Sequence, residues 1–414
     1  MEKKNILEYT VIGLLVILLL FVGIHSKGLL SLGEMAEYTN PLQNTDDETT
    51  LDVDERITVA QIESNFLSSL DIKDNFVNVT GNVLKLFGNQ TYFRSKGVVL
   101  TSDGYAIGTY AKTSTDYEYN ELTKLKSFLD EEGVELLYVN APLKYLDDEE
   151  CLREIGMKSY GNENGDVFMT RISEAGVSNI DLRTEMTNDG INSWDMFYRT
   201  DHHWTIPAGF WATKKIVHYL NQQGFSIDES IYDEDKYMTE TYPQCWLGEQ
   251  GRLVAQSYIG LDDYTCMYPN FDTSFTYTIA DGNFTTGDFG VMMNKTNYGA
   301  TDDYYNRDGL HYSYIAQTLG SFNHMKIVNN NVSEGRILYL GDSYSYAVLP
   351  FLVEGVSEVD GILMRENTSD FDLYQQIRDN DYDAVVICYA NFMIGAHDDS
   401  ESANYRMFCF DNVE

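Results

Sequence analysis

The chain has 414 residues, 43% of them hydrophobic, enough to bury a core in one large or two ordinary domains. Its 65 acidic and 28 basic residues give a formal net charge of −37, which repels phosphate backbones and leaves no basic stripe, so nucleic acid is excluded as a partner. The acidic surplus reads as a solvated surface, and the 31 tyrosines suit a sugar-lining groove and ordinary packing equally well.

Lys3 and Lys4 precede a charge-free, apolar stretch of 18 residues from Tyr9 to Ser26, about the length a helix needs to cross a bilayer. Basic residues before it and an acidic segment after it predict a single-pass protein of the cell membrane: cytoplasmic residues 1–8, a transmembrane anchor over 9–26, a polar tether over 27–80 and an extracytoplasmic remainder. A cleaved signal peptide is the competing reading, but no small-x-small site follows Phe21.

Residues 81–227 predict the first part of an α/β domain. Tyr92-Phe93-Arg94 and Gly97 to Leu100 read as short strands, with a turn at Ser102-Asp103-Gly104. Leu122, Leu125 and Leu129 recur at helical spacing up to Gly133, and Val134 to Val139 runs on as a buried strand. A second unit has a helix near Asp166 to Ala175 and a strand near Ser178 to Leu182. Thr205 caps a helix whose Phe210, Ile216, Val217 and Leu220 share one face. Residues 228–332 break the rhythm and read as a loop-rich β insertion, with Ser274 to Ile279 among its strand-like pieces. The rhythm resumes over 333–414: strand Arg336 to Leu340, strand Val359 to Met364, helix Asp372 to Asn380 and strand Ala384 to Tyr389. Such alternation predicts a mostly parallel sheet with helices on both faces.

Five cysteines lack metal-type spacing; Cys245 and Cys266 could pair, while Cys388 sits in an apolar run and reads as a buried thiol.

Two short runs carry chemistry. Strand Arg336 to Leu340 ends in Gly341-Asp342-Ser343 with helix-compatible residues following, the place where α/β sheets build their sites. A serine there projects from a rigid edge beside free backbone N–H groups, although a serine serving as a helix cap gives the same pattern. A serine nucleophile needs an imidazole to take its proton and a carboxylate to orient that imidazole. Thr200-Asp201-His202-His203-Trp204-Thr205 offers both in Asp201 and His203. Metal binding by Asp201, His202 and His203 is the rival reading; His25, His218, His311, His324 and His397 add no further ligands at recognisable spacing, so neither metal nor cofactor is expected.

The two runs together resemble the bacterial DHHW proteins, which are similar to the SGNH-hydrolase-like O-acetylation proteins of alginate and related exopolysaccharides. The order, Asp-x-His before Gly-Asp-Ser, is reversed relative to ordinary SGNH esterases and matches the alginate acetylation group. Val139 to Lys144, Ile180 to Arg183, Trp246 to Arg252 and Ile362 to Arg365 extend the resemblance over roughly residues 85–395. It implies an SGNH-hydrolase-like three-layer α/β sandwich with permuted motif order. It also implies Ser343 as nucleophile, His203 as general base, Asp201 as orienting carboxylate, a non-catalytic His202 and a bracing Trp204. The backbone beside Ser343 at Tyr344, together with Asn391, would serve the oxyanion, and Arg365 would contact substrate. The implied activity is O-acetyl transfer to a cell-surface or secreted polysaccharide, with a membrane-bound O-acyltransferase supplying the acetyl group. Acetyl-ester hydrolysis and non-catalytic glycan binding or assembly on the same scaffold are the alternatives.

Overall fold

In the computed structural model the described residues are 73–86, 94, 97–148, 152, 156–279, 282, 284–292, 324–366, 371–395 and 403–410. The anchor expected over 9–26 and most of the tether lie outside them, and no helix among the described residues is long and apolar enough to cross a membrane. The chain divides into two units, Met1–Gly88 and Asn89–Glu414. Within the first, Lys73–Leu86 forms a helix.

The second unit is built on strands β1 (Val99–Leu100), β2 (Ala106–Ile107), β3 (Glu135–Ala141), β4 (Asn179–Asp181), β5 (Tyr237–Trp246), β6 (Asp262–Pro269), β7 (Phe275–Ile279), β8 (Phe284–Gly287), β9 (His324–Asn329), β10 (Arg336–Gly341), β11 (Glu358–Ile362) and β12 (Ala384–Ala390). Eight of them form one mixed sheet in the order β4-β3-β12-β10-β11-β9-β7-β8. The ladders from β4 to β11 are parallel, and β9, β7 and β8 add an antiparallel wing. β12 is buried along its whole length and β3 and β10 along all but their first residue, so the middle of the sheet is covered on both faces.

The predicted α/β units are present. The leucine-spaced segment is the helix Asp116–Glu132, closed by Gly133 at φ +73, where a side chain would be strained. The next helix runs Gly161–Glu174, and the one after the Asp-His-His-Trp run is Ile206–Gln222, capped by Thr205 Oγ1 accepting from the Ala208 N–H. Of the short strands expected before the Ser102-Asp103-Gly104 turn, Val99–Leu100 pairs across it with Ala106–Ile107, while Tyr92 and Phe93 lie outside the described residues.

Within segment 228–332, read as a loop-rich β insertion, β7 to β9 extend the main sheet through β11, while β5 and β6 form a separate antiparallel ladder. Cys245 and Cys266, which the sequence left able to pair, are buried and not joined by a disulfide; Cys266 stands opposite Glu240 in the ladder, and Cys245 donates to the Tyr242 carbonyl. Cys388 is the buried thiol expected, and burial pushes it up to about 12.

Candidate active site

β10 lies where the chain connections diverge, with β11 on one side and β12 on the other. Its carboxyl end is therefore the switch point at which α/β sheets form crevices. Ser343 begins a 3-10 turn, Ser343–Ala347, which leads into a short helix, Leu349–Leu352. The cap of that turn is Asp342, whose Oδ1 accepts from the Tyr344 N–H at 2.8 Å. Its Oδ2 accepts from the Ala390 N–H at 2.7 Å, pinning the end of β10 to the end of β12. Burial pushes the Asp342 carboxyl up to about 6, against these hydrogen bonds and the charge of Arg365. With Asp342 as the cap, the Ser343 hydroxyl is released from that duty.

The other run is held as a closed loop. Phe197 and Trp204 form an antiparallel bridge, and the Thr205 N–H donates to the Met196 carbonyl at 2.8 Å. Gly209, in the helix that follows, sits where an added Cβ would lie 2.3 Å from the Ala347 carbonyl oxygen. The helix backbone thus touches the turn that carries Ser343, and this close approach sets the two runs side by side. The fully buried Trp204 completes the joint by donating its Nε1–H to the Tyr344 carbonyl at 3.0 Å.

The result is a line of three side chains. Asp201 Oδ1 is 2.6 Å from His203 Nδ1, and His203 Nε2 is 2.6 Å from Ser343 Oγ. All three are buried, Ser343 being 8% exposed. Burial alone would raise the Asp201 carboxyl, but His203, His202 and the Glu249 N–H hold it well below the usual carboxylate range. It is therefore ionised and can only accept, so the neutral ring of His203 carries its hydrogen on Nδ1 and offers Nε2 to the Ser343 O–H. That arrangement can move a proton from Ser343 Oγ to His203.

His202 stands beside this line. Its ring centroid is 3.8 Å from that of His203, its Nδ1 is 3.5 Å from Asp201 Oδ1, and an edge contact to Phe392 backs it. Burial and the neighbouring His203 hold its pKa down to about 4. Among the described residues, ligand atoms of Asp201, His202 and His203 lie within 4.8 Å of one another, a set that could hold a metal ion. Both ring nitrogens of His203 are already hydrogen-bonded, so a cation there would have to displace Asp201 or Ser343.

The remaining expected residues fall around the line with altered roles. Tyr344 donates its N–H to Asp342 and its hydroxyl hydrogen to the His202 carbonyl at 2.7 Å, so its backbone is not a free oxyanion donor. The Ser343 N–H, first in its turn, has no acceptor within that turn and is the better donor. Asn391 commits one amide hydrogen to the Gly161 carbonyl at 2.7 Å and packs against the Gly161–Glu174 helix, leaving its second hydrogen for any oxyanion role. Arg365, on the turn after β11, is half-buried and close enough to lower the Asp342 carboxyl.

Sequence reasoning missed the residues that hold the loop from behind. Asp262, at the start of β6, accepts from the Arg199 N–H, the Thr200 N–H and the Thr200 hydroxyl at 3.0, 2.8 and 2.6 Å. The Gly248 N–H donates to Thr200 Oγ1 at 2.7 Å, and the Glu249 N–H to Asp201 Oδ2 at 2.8 Å. The block Trp246 to Arg252 was visible as part of the resemblance, but nothing in it announced this task.

Residues 102–263 match the family model described as SGNH hydrolase-like domain, acetyltransferase AlgX. The resemblance read from the motifs thus holds over a stretch that includes Asp201 and His203 and ends before Ser343. No curated protein is similar to this chain. Among solved structures, Bacillus cereus PatB1 superposes with a TM-score of 0.58 at 20% identity, covering 76% of this chain and 100% of that one. The same protein with a sulfonyl adduct gives 0.57 at 19% identity, covering 76% of this chain and 99% of that one. A DHHW family protein from Eubacterium siraeum gives 0.55 at 17% identity, covering 77% of this chain and 96% of that one. The chain has the SGNH-hydrolase-like α/β fold with a mixed sheet.

Proposed function

We propose that this chain is an SGNH-like O-acetyltransferase that acylates Ser343 and passes the acetyl group to a hydroxyl of a cell-surface or secreted polysaccharide. The observation that carries this reading is the unbroken hydrogen-bonded line from Asp201 through His203 to Ser343. In the first half-reaction Ser343 Oγ attacks the acetyl carbonyl of the donor while its proton passes to His203 Nε2. The donor's bond to the acetyl carbon breaks, and the leaving group takes that proton. In the second half, a sugar hydroxyl gives its proton to His203 and attacks the acyl carbonyl; the bond from that carbon to Ser343 Oγ breaks, and Oγ takes the proton back from His203. Asp201 stays ionised throughout and stabilises the imidazolium in both halves. The Ser343 N–H is the donor placed to stabilise each tetrahedral oxyanion.

Residues 9–26 would anchor the chain with its catalytic unit outside the cell, where a membrane-bound O-acyltransferase would supply the acetyl group. The test is partition of the acyl-enzyme. Incubation with a soluble acetyl ester and a surface oligosaccharide should yield acetylated sugar in preference to free acetate. Acetate alone, with no acetylated sugar from any oligosaccharide offered, makes the enzyme an esterase. Sugar binding with no turnover of the ester makes it a binding protein on the same scaffold.

A further inference from the structure

A cavity of about 450 Å³ lies between the β1–β2 turn, the residues that follow β3 and the 3-10 turn Ser193–Met196. Its volume is within the roughly 300–1,000 Å³ range of ligand pockets. Its walls are tied to the loop that carries Asp201 and His203. The N–H of Ala106, next to Tyr105, donates to the Arg199 carbonyl at 2.8 Å. Arg199 stands two residues before Asp201, a span of at most about 7 Å of extended chain. On the other side, the turn Ser193–Met196 runs into the Phe197–Trp204 bridge that closes the same loop, and Ser193 Oγ donates to the Lys144 carbonyl at 2.8 Å. Tyr145 lines both this cavity and the narrow slot beside His202 and Tyr344, so the two spaces share a wall.

Two half-buried rings line the cavity. Tyr105 and Trp194 meet edge to face, with centroids 4.8 Å apart and planes at 61°. Tyr105 is held in place by its own turn: its N–H donates to Thr101 Oγ1 at 3.0 Å, and its carbonyl accepts from the Thr101 N–H at 2.9 Å. Among the described residues, none accepts from the Trp194 indole N–H. A ring with an apolar face and an unused polar tip suits a sugar, which has a C–H face and hydroxyls at its edge. Asp103, Asp147 and Asn192, all exposed, line the same space, and carboxylate oxygens there can accept from sugar hydroxyls.

Charge narrows the class of sugar. No lysine or arginine is among the described residues lining the cavity. The cations behind its walls are engaged: Lys144, 5.9 Å from the Tyr105 ring centroid, donates to the Ala106 carbonyl, while Arg199 donates to the Ile259 carbonyl at 2.9 Å and pairs with Asp262. With Asp103 and Asp147 on the rim and a net charge of −37, a carboxylated sugar would be repelled.

We propose that this cavity is the acceptor subsite, and that it takes one unit of a glycan built from uncharged sugars, stacked on Trp194 and Tyr105, rather than a polyuronate. A neighbouring unit of the same glycan then presents its hydroxyl at Ser343. The inference rests on the reading of Ser343 as the carrier of the acetyl group.

The experiment follows the indole N–H signals of the ¹⁵N-labelled full chain carrying Ser343→Ala, in detergent micelles, during addition of cellotetraose, a chitin tetramer or a mannuronate tetramer. The four tryptophans give four such signals, and Trp194→Phe assigns one of them. At least one neutral tetramer should move the Trp194 signal, and the mannuronate tetramer at the same concentration should not. By calorimetry, Trp194→Ala and Tyr105→Ala should each weaken binding of that neutral tetramer about tenfold, while Tyr105→Phe, which keeps the ring, should change it less than about twofold. A Trp194 signal unmoved by both neutral tetramers, or moved equally by mannuronate, overturns the proposal. If the alanine variants do not fold, the signal in the chain with all its rings still decides. Ser343→Ala cannot carry an acyl group, so binding is read apart from chemistry. A neutral tetramer bound here with no transfer in the unaltered chain would sink the acetyltransferase reading and leave the sugar cavity standing. Transfer to a neutral tetramer whose KM is unmoved in Trp194→Ala would sink the subsite alone.

Discussion

The main-chain N–H of Glu249 donates to Asp201 Oδ2 at 2.8 Å, so the carboxylate oxygen that His203 does not use is held by a segment 48 residues further along the chain. The base is therefore aimed by two distant pieces of sequence, and each can be loosened separately.

Gly248 is the tightest point of that joint. A Cβ there would lie 2.3 Å from Asp201 Cβ and 2.7 Å from the Thr200 carbonyl oxygen, so Gly248→Ala must push the loop away from Ser343. A displacement of this kind is expected to lower kcat about a hundredfold while the chain still folds. Steady-state kinetics beside a thermal melt check this, and an unchanged kcat would show that the loop has slack.

Asp201→Asn keeps the shape but can present an amide hydrogen to His203 Nδ1. The ring would then carry its own hydrogen on Nε2 and lose the power to accept from Ser343 Oγ. The expected loss in kcat is about three to four orders of magnitude, read on a soluble acetyl ester.

Much of this was legible in advance. The α/β units followed from periodicity, the Thr205 cap from its residue type, and the pairing of Asp201 and His203 with Ser343 from what a serine nucleophile requires. What stayed hidden depends on contacts that leave no local pattern. Asp342 rather than Ser343 caps the turn, because only the folded sheet brings Ala390 within reach of its second oxygen. The Tyr- and Thr-rich strand Phe275–Ile279 alternates as any edge strand would, and nothing in its sequence names β9 as its partner. Asn391 was placed by its position after β12, but its amide is drawn to the Gly161 carbonyl, 230 residues away.

Asp262 should matter for stability as well as rate. Asp262→Ala strips the acceptor from two backbone N–H groups and the Thr200 hydroxyl. Leaving them unpaired inside the protein is expected to cost about 3 kcal/mol, measured by chemical denaturation.

Glu354 predicts a pH dependence of folding unrelated to catalysis. Burial pushes its carboxyl up to about 8, and its Oε1 is buried with no hydrogen-bond partner. Between the unfolded value of 4.5 and the folded value of about 8, the native chain holds a proton that the unfolded chain releases. Its contribution to stability is therefore present below the unfolded value and lost as pH rises, with a slope approaching 1.4 kcal/mol per unit at most, an order-of-magnitude bound. Glu354→Gln should flatten that part of the pH–stability curve, as denaturation at pH 5 and pH 8 would reveal.

Chelators should leave the acetyl-ester rate unchanged, since the His203 nitrogens are already engaged by Asp201 and Ser343. A rate abolished by chelation and restored by a divalent cation would instead assign Asp201, His202 and His203 to a metal.

The most direct test of acyl transfer through Ser343 is peptide mass spectrometry of the chain quenched in acid during turnover of a soluble acetyl ester. One acetyl group on the peptide containing Ser343, absent in Ser343→Ala together with turnover, is the result predicted. Turnover that persists in Ser343→Ala, or an acetyl group mapped to another side chain, would contradict it.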